Sequence, residues 1–135
     1  MSESTLSQTA VLVDTNIVSA HFKGDPAVTP RLQASDTIYL PTIVLGELHF
    51  GAHHSPNSAR NLERIGRFVA AVVPLSVDAA TAVLYGHLKA ELAASGQIIP
   101  DNDLWIAALA KQHDVTLVSR DRHFSHVAGV KWIIW

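Results

Sequence analysis

The sequence contains no cysteine. Disulfide frameworks and thiolate metal sites are therefore excluded, which suits a reducing cytosol. It also lacks any apolar run of the roughly 18 residues that a membrane span needs. The opening MSESTLSQTA has neither the basic start nor the apolar centre of a secretion signal, so a cytoplasmic protein with no membrane partner is expected. There is no Gly-x-Gly-x-x-Gly fingerprint, no Gly-Lys-Ser/Thr loop and no Gly-x-Ser-x-Gly elbow. Dinucleotide binding, P-loop chemistry and elbow-serine hydrolysis each lose the residues that would cradle the phosphates or present the nucleophile. Nor is there a basic surplus, since the formal net charge is −2 at pH 7 and nucleic-acid binders are usually basic. That last exclusion is the weakest, because four acids gathered at one metal site would leave the rest of the chain with a small positive balance.

What is present is a core former. The 135 residues are 48% hydrophobic, enough for one domain spanning 1–135 with about the first nine residues flexible. Short segments rich in Val, Ile and Leu at 11–13, 38–40, 72–75, 115–118 and 130–134 read as strands, with helical patterns between them. Nearly continuous apolar strands separated by helices indicate a short parallel sheet covered on both faces, a three-layer α/β/α fold. HHSPNSA and ASGQIIP read as loops. A helix over 57–71 places Leu62, Ile65 and Val69 on one stripe and Arg60, Arg64 and Arg67 on another. The arginine stripe is either a solvated face or a ridge facing phosphates. A helix over 78–94 starts at a capping Asp78 and carries Leu84, Leu88 and Leu92 as core or partner surface.

Four acids stand in less ordinary places. Asp14 ends the first strand in VLVDTNIV, at the sheet edge where ligands of open α/β folds bind, although a helix cap explains it equally well. Glu47 lies in the apolar PTIVLGELHFGAHH, where its helical neighbours Ile43, Val44, Phe50 and Gly51 offer no partner. It is either an outward-facing flank residue or a buried carboxylate that needs a cation. Asp103 sits in the first turn of the helix opened by PDND, where one aspartate of Asp101 and Asp103 is expected to cap and the other to turn toward the sheet edge. Asp121 follows the strand VTLVS, where a turn residue is the plain alternative, and Ser119 offers a hydroxyl at the same edge, as Thr15 does. Brought together without a counter-charge, four carboxylates would repel and hold protons. A divalent cation removes that difficulty, and all-oxygen ligation suits one or two Mg²⁺ or Mn²⁺ ions.

VLVDTNIV, VLGELHFGA, NDLWIAALA and TLVSRDRHF, in that order, resemble the motifs of the PIN-domain ribonucleases, and specifically the VapC-type toxins of bacterial toxin–antitoxin pairs. The resemblance implies that Asp14, Glu47 and Asp103 are the core catalytic and metal-binding acids, with Asp121 as the fourth. Thr15, Asn16 and Ser119 then support them, Ser119 standing where Thr is more usual. It implies Mg²⁺- or Mn²⁺-dependent hydrolysis of RNA, a homodimer, and a cognate antitoxin lying across the active site, with a heterotetramer or larger assembly between them. Arg60, Arg64, Arg67, Arg120, Arg122 and His123 are the candidate RNA contacts. The stripe of 78–94 and the tail VKWIIW are candidate partner surfaces.

Other readings have less support. His49 and His53 are four apart and His54 adjoins them, but no H-E-x-x-H arrangement and no third zinc ligand is evident. A haloacid-dehalogenase-like phosphatase needs a second Asp where Asn16 stands. An inactive PIN-like module that only binds RNA or protein is the alternative from another class, and the intact acid set argues against it.

Overall fold

A computed structural model describes residues 10–135. The expectation that the first nine residues are flexible lies outside them. In chain order the elements are β1 (Ala10–Val13), α1 (Thr15–Phe22), α2 (Thr29–Ala34), β2 (Thr37–Pro41), α3 (Thr42–His53), α4 (Ser58–Ala70) and β3 (Val73–Leu75). There follow α5 (Ala79–Ala94), α6 (Asp101–His113), β4 (Thr116–Val118), a 3-10 turn (Arg122–His126) and β5 (Trp132–Ile133).

The five strands form one parallel sheet in the order β3-β2-β1-β4-β5, flanked by helices as the alternation of apolar runs and helical patterns implies. β1 is central, and Leu12, Val13, Leu117 and Val118 are fully buried because neighbouring strands and covering helices leave them no free face. β3 and β5 are the edges. Pro74, which has no amide hydrogen to donate, is accommodated in β3 because that strand pairs only with β2.

Sequence patterning explains the helices. α4 buries Ile65 and half-buries Leu62 and Val69, while Arg60, Glu63 and Arg67 face solvent. α5 is held at its start by a reciprocal cap: Asp78 Oδ1 accepts from the Thr81 amide at 3.0 Å, and the Asp78 amide donates to Thr81 Oγ1 at 3.0 Å. Leu88 and Leu92 on α5 are buried, so most of that stripe is core. α6 is apolar on nearly every side from Leu104 to Ala110 and runs through the centre of the molecule, ending at Asp114 in the left-handed conformation, φ 52°.

The strand order reverses between β1 and β4, because the chain first builds outward through β2 and β3 and then returns to the other side of β1. A crevice outside the carboxyl ends of the strands opens at such a reversal. Asp14 follows β1 and Ser119 follows β4, so both stand at that crevice.

Candidate active site

β1 and β4 are joined beyond their last residues. The Asp14 amide donates to the Val118 carbonyl at 3.1 Å, which carries the ladder one residue past Val13 and sets the Asp14 side chain at the mouth of the crevice. Asp14 is the N-cap of α1, but its Oδ1 accepts from the immediately following Thr15 amide at 2.8 Å, and its Oδ2 accepts from the Ser119 hydroxyl at 2.6 Å. Capping and a place at the cleft are thus combined in one carboxylate. Asn16 ties the two strand ends together, donating to Ser119 Oγ at 3.3 Å and accepting from the Arg120 amide at 3.1 Å.

Glu47 comes from α3. No helical neighbour meets it. Instead the Thr15 hydroxyl donates to its Oε1 at 2.5 Å and the Asn102 amide group approaches its Oε2 at 3.5 Å. Glu47 is half-buried, neither flank residue nor orphan. α6 contributes Asp103, 9% exposed and aimed into the crevice. Asp121, on the segment after β4, has its amide fixed to Ser119 Oγ at 3.0 Å while its carboxylate is 47% exposed.

Neither Asp101 nor Asp103 caps α6, which starts at Pro100 without a side-chain cap. Asp103 turns inward, whereas Asp101 accepts from the Tyr85 hydroxyl at 2.8 Å and from Lys89 Nζ at 3.0 Å, fastening α6 to α5. Those two bonds, Tyr85 first, hold the Asp101 carboxyl below the usual range. The expectation of one cap and one inward acid is corrected to one brace and one inward acid.

Asp14, Thr15, Asn16, Glu47, Asp103 and Asp121 line a cleft of about 810 Å³. Burial raises the Asp14 carboxyl above its ordinary value, and the charges of Asp121 and Glu47 add to that, against the hydrogen bonds from Ser119 and Thr15. Burial also pushes Asp103 up to about 6, with the charge of Asp14 adding to it and His123 opposing it. Burial therefore pushes two neighbouring acids the same way, and the charge each feels from the others adds to it. The donor set of carboxylates at one crevice fits a hard divalent ion.

The candidate RNA contacts are dispersed. Arg67 pairs with Glu63 at 3.1 Å. Arg64 donates to the Phe22 carbonyl at 3.4 Å, with its guanidinium 5.5 Å above the Phe22 ring. Arg60 and Arg122 are exposed. The Arg120 guanidinium is held by Asp25 at 2.9 Å and by the Trp135 carbonyl at 3.0 Å. His123 lies beside Asp103 rather than at the rim. His49, His53 and His54 stand exposed on α3 or just past its end, and among the described residues no three-ligand group forms around them.

Lys23, Asp25 and Asn102, which the sequence did not single out, also line the cleft. Asn102 had a signal in the polar Asp-Asn-Asp opening of α6. Lys23 and Asp25 had none, because the crossing of α1 over the crevice is a tertiary fact.

A profile of the PIN domain matches residues 11–130. The chain is 32% identical over 127 residues to ribonuclease VapC2 of Haemophilus influenzae, covering 92% of this chain and 96% of that protein. It is 33% identical over 127 residues to the tRNA(fMet)-specific endonuclease VapC of Shigella flexneri, with the same coverage. Among solved structures it is similar to VapBC2 from Rickettsia felis bound to a promoter DNA fragment, with TM-score 0.86 and 29% identity over 93% of this chain and 98% of that one. It is also similar to DNA-bound VapBC from Salmonella typhimurium, with TM-score 0.87 and 26% identity over the same shares.

Proposed function

The chain belongs to the PIN-domain family, and on that premise we propose that it is a metal-dependent endoribonuclease of the VapC kind, the toxin half of a toxin–antitoxin pair. One observation carries the reading for this chain itself: acids from four separate elements converge on the crevice between β1 and β4, and two of them are pushed upward there by burial first and by the neighbouring carboxylates second.

Asp14, Glu47, Asp103 and Asp121 would hold one or two Mg²⁺ or Mn²⁺ ions. When bound, such an ion lowers the pKa of water and offsets charge on the phosphate oxygens. Water rather than a side chain is the nucleophile, because both hydroxyls next to the acids are committed as donors, Ser119 to Asp14 and Thr15 to Glu47. Ser119 and the Thr15 amide fix the direction of the Asp14 carboxylate, which spares the site reorganisation during the reaction. Asp121, more open than Asp14 or Asp103, is the acid placed to receive a proton from water at the cleft mouth.

A groove of about 390 Å³ adjoins the cleft and shares Thr15, Ser19, Lys23 and Glu47 with it, continuing past Phe22, Leu48, Ala52, Asn61, Arg64 and Ile65. Its apolar floor and basic rim suit a segment of the cognate antitoxin running toward the acids, with the toxin itself a homodimer. The absence of cysteine, and of any helix among the described residues long and apolar enough to cross a membrane, is consistent with cytoplasmic work on RNA.

The test is cleavage of total RNA and of tRNA(fMet) by purified, partner-free protein with Mg²⁺, with Mn²⁺ and with chelator, beside Asp14→Asn and Asp103→Asn. Metal-dependent cleavage into a few products, lost in both variants, is expected. RNA retention without cleavage by folded wild-type protein would replace the enzyme with a binding module.

A further inference from the structure

His123 lies against two of the acids, and the four-carboxylate site leaves it without a task. It sits in the 3-10 turn, anchored by the next residue, Phe124, which is only 1% exposed. Its Nε2 is 2.7 Å from Asp103 Oδ2 and 3.7 Å from Asp121 Oδ2. That nitrogen is shielded from solvent yet makes no properly directed hydrogen bond. Approach without alignment indicates that the ring nitrogen and the carboxylate oxygen do not point at each other. Asp103, Asp121 and His123 each offer one ligand atom within 4.8 Å of the other two. On an octahedral ion with bonds of about 2.1 Å, adjacent donors stand about 3 Å apart and opposite ones about 4 Å apart. The spacings of 2.7 and 3.7 Å bracket the adjacent separation.

Resting on the reading of this cleft as a metal site, we propose that His123 Nε2 is a ligand of the divalent ion beside Asp103 and Asp121, and that this nitrogen makes the centre select a transition ion of the Mn²⁺ class over Mg²⁺. The reason is ligand chemistry. Mg²⁺ is a hard ion that favours oxygen and parts reluctantly with its waters, whereas first-row transition ions bind imidazole well. Thus an acid set that by itself suits either ion is biased by one residue of the adjoining turn.

The experiment uses the full chain without a partner. Mn²⁺ bound to wild-type protein is examined by pulsed electron paramagnetic resonance, with and without ¹⁵N-histidine labelling, and Mn²⁺ and Mg²⁺ affinities are measured by calorimetry for wild type, His123→Gln, His123→Asn and Asp103→Asn. Expected are a nitrogen modulation that changes on labelling and a wild-type preference for Mn²⁺ over Mg²⁺ that falls about tenfold in both His123 variants. Mn²⁺ held without any nitrogen signal, with an unchanged Mn²⁺/Mg²⁺ ratio in the variants, overturns this inference and makes His123 an ion-pair partner of Asp103, leaving the acid site intact. Mn²⁺ that fails to bind wild type, or binds Asp103→Asn equally well, overturns the metal reading of the cleft and this inference with it. The spectroscopic readout on wild type does not depend on either variant folding.

Discussion

The Ser119 hydroxyl donates to Asp14 Oδ2 at 2.6 Å, joining residues 105 positions apart at the ends of the two central strands. The same oxygen accepts from the Asp121 amide at 3.0 Å and from Asn16 Nδ2 at 3.3 Å. A hydroxyl has one hydrogen and two lone pairs, so its capacity is filled. Ser119 is fully buried and is further fixed from behind, where the Trp132 indole donates to its carbonyl at 3.0 Å. One side chain therefore sets the direction of Asp14 and the backbone position of Asp121.

Ser119→Ala should lower cleavage and metal affinity about tenfold, in the range seen when an outer-shell partner of a metal ligand is removed. Ser119→Thr keeps the hydroxyl and should retain activity within a few-fold. Parallel measurement of cleavage rate and of Mn²⁺ affinity checks both. Equal loss in Ala and Thr would mean that the site tolerates no extra methyl group and that the hydrogen bond is not the cause.

Asp103 gives a stability test at fixed composition. Its carboxyl titrates at about 6 in the folded chain against 3.8 normally, so between those values the native state holds the proton more tightly than the unfolded state. This contribution is fully present below about pH 4 and lost as pH rises through 6. Above that, the ionised group costs the metal-free fold about 3 kcal/mol. Asp103→Asn does not titrate. In chelator it should match wild type near pH 4 and exceed it by about 3 kcal/mol at pH 8 in urea unfolding, while losing the stabilisation that Mn²⁺ gives wild type. A difference that does not change with pH would remove burial of the carboxylate as the cause.

The parts of the site legible in the sequence were those whose address follows from the fold class. An acid immediately after a strand, such as Asp14 or Asp121, must lie at the carboxyl edge of a parallel sheet, and an acid in the first turn of a helix entering that edge, such as Asp103, lies near it. Glu47 was legible only as an anomaly. Its helical neighbours could not pair with it, and its actual partners, Thr15 and Asn102, come from α1 and α6. The Arg120 clamp on Asp25 spans 95 positions and reads locally as one more basic residue beside the site. Strand lengths were overestimated at the second edge, where the apolar run 130–134 forms only the two-residue β5. Apolarity marks what is buried there, but pairing with β4 is what makes a strand, and the register pairs only Trp132 and Ile133 with Leu117 and Val118.

Asp101 and Asp103 are two residues apart and lie in one helical turn, yet they should behave oppositely. Asp101 is spent on Tyr85 and Lys89, so Asp101→Asn should leave metal affinity and cleavage within about twofold, exposed ion pairs of this kind being worth little. Asp103→Asn should abolish both. Loss of cleavage in Asp101→Asn with metal affinity preserved would move Asp101 into substrate contact, since the residue also lines the cleft.

Which cations meet the RNA follows from their surroundings rather than their number. Lys23 is exposed and lines both the cleft and the adjoining groove, and Arg64 lines the groove from α4. Arg67 is paired with Glu63, and Arg60 and Arg122 line neither cavity. A phosphate contact releases counterions and shows as a salt slope, roughly 0.7 per contact for a single strand. In an Asp103→Asn background, where RNA is bound but not cut, Lys23→Ala and Arg64→Ala should each weaken binding and reduce the slope by about that amount. Arg67→Ala should leave the slope unchanged, because its charge is already balanced on the helix. The reverse ranking, with Arg60 and Arg67 carrying the slope, would place the RNA along the outer ridge of α4 and leave the groove to the antitoxin.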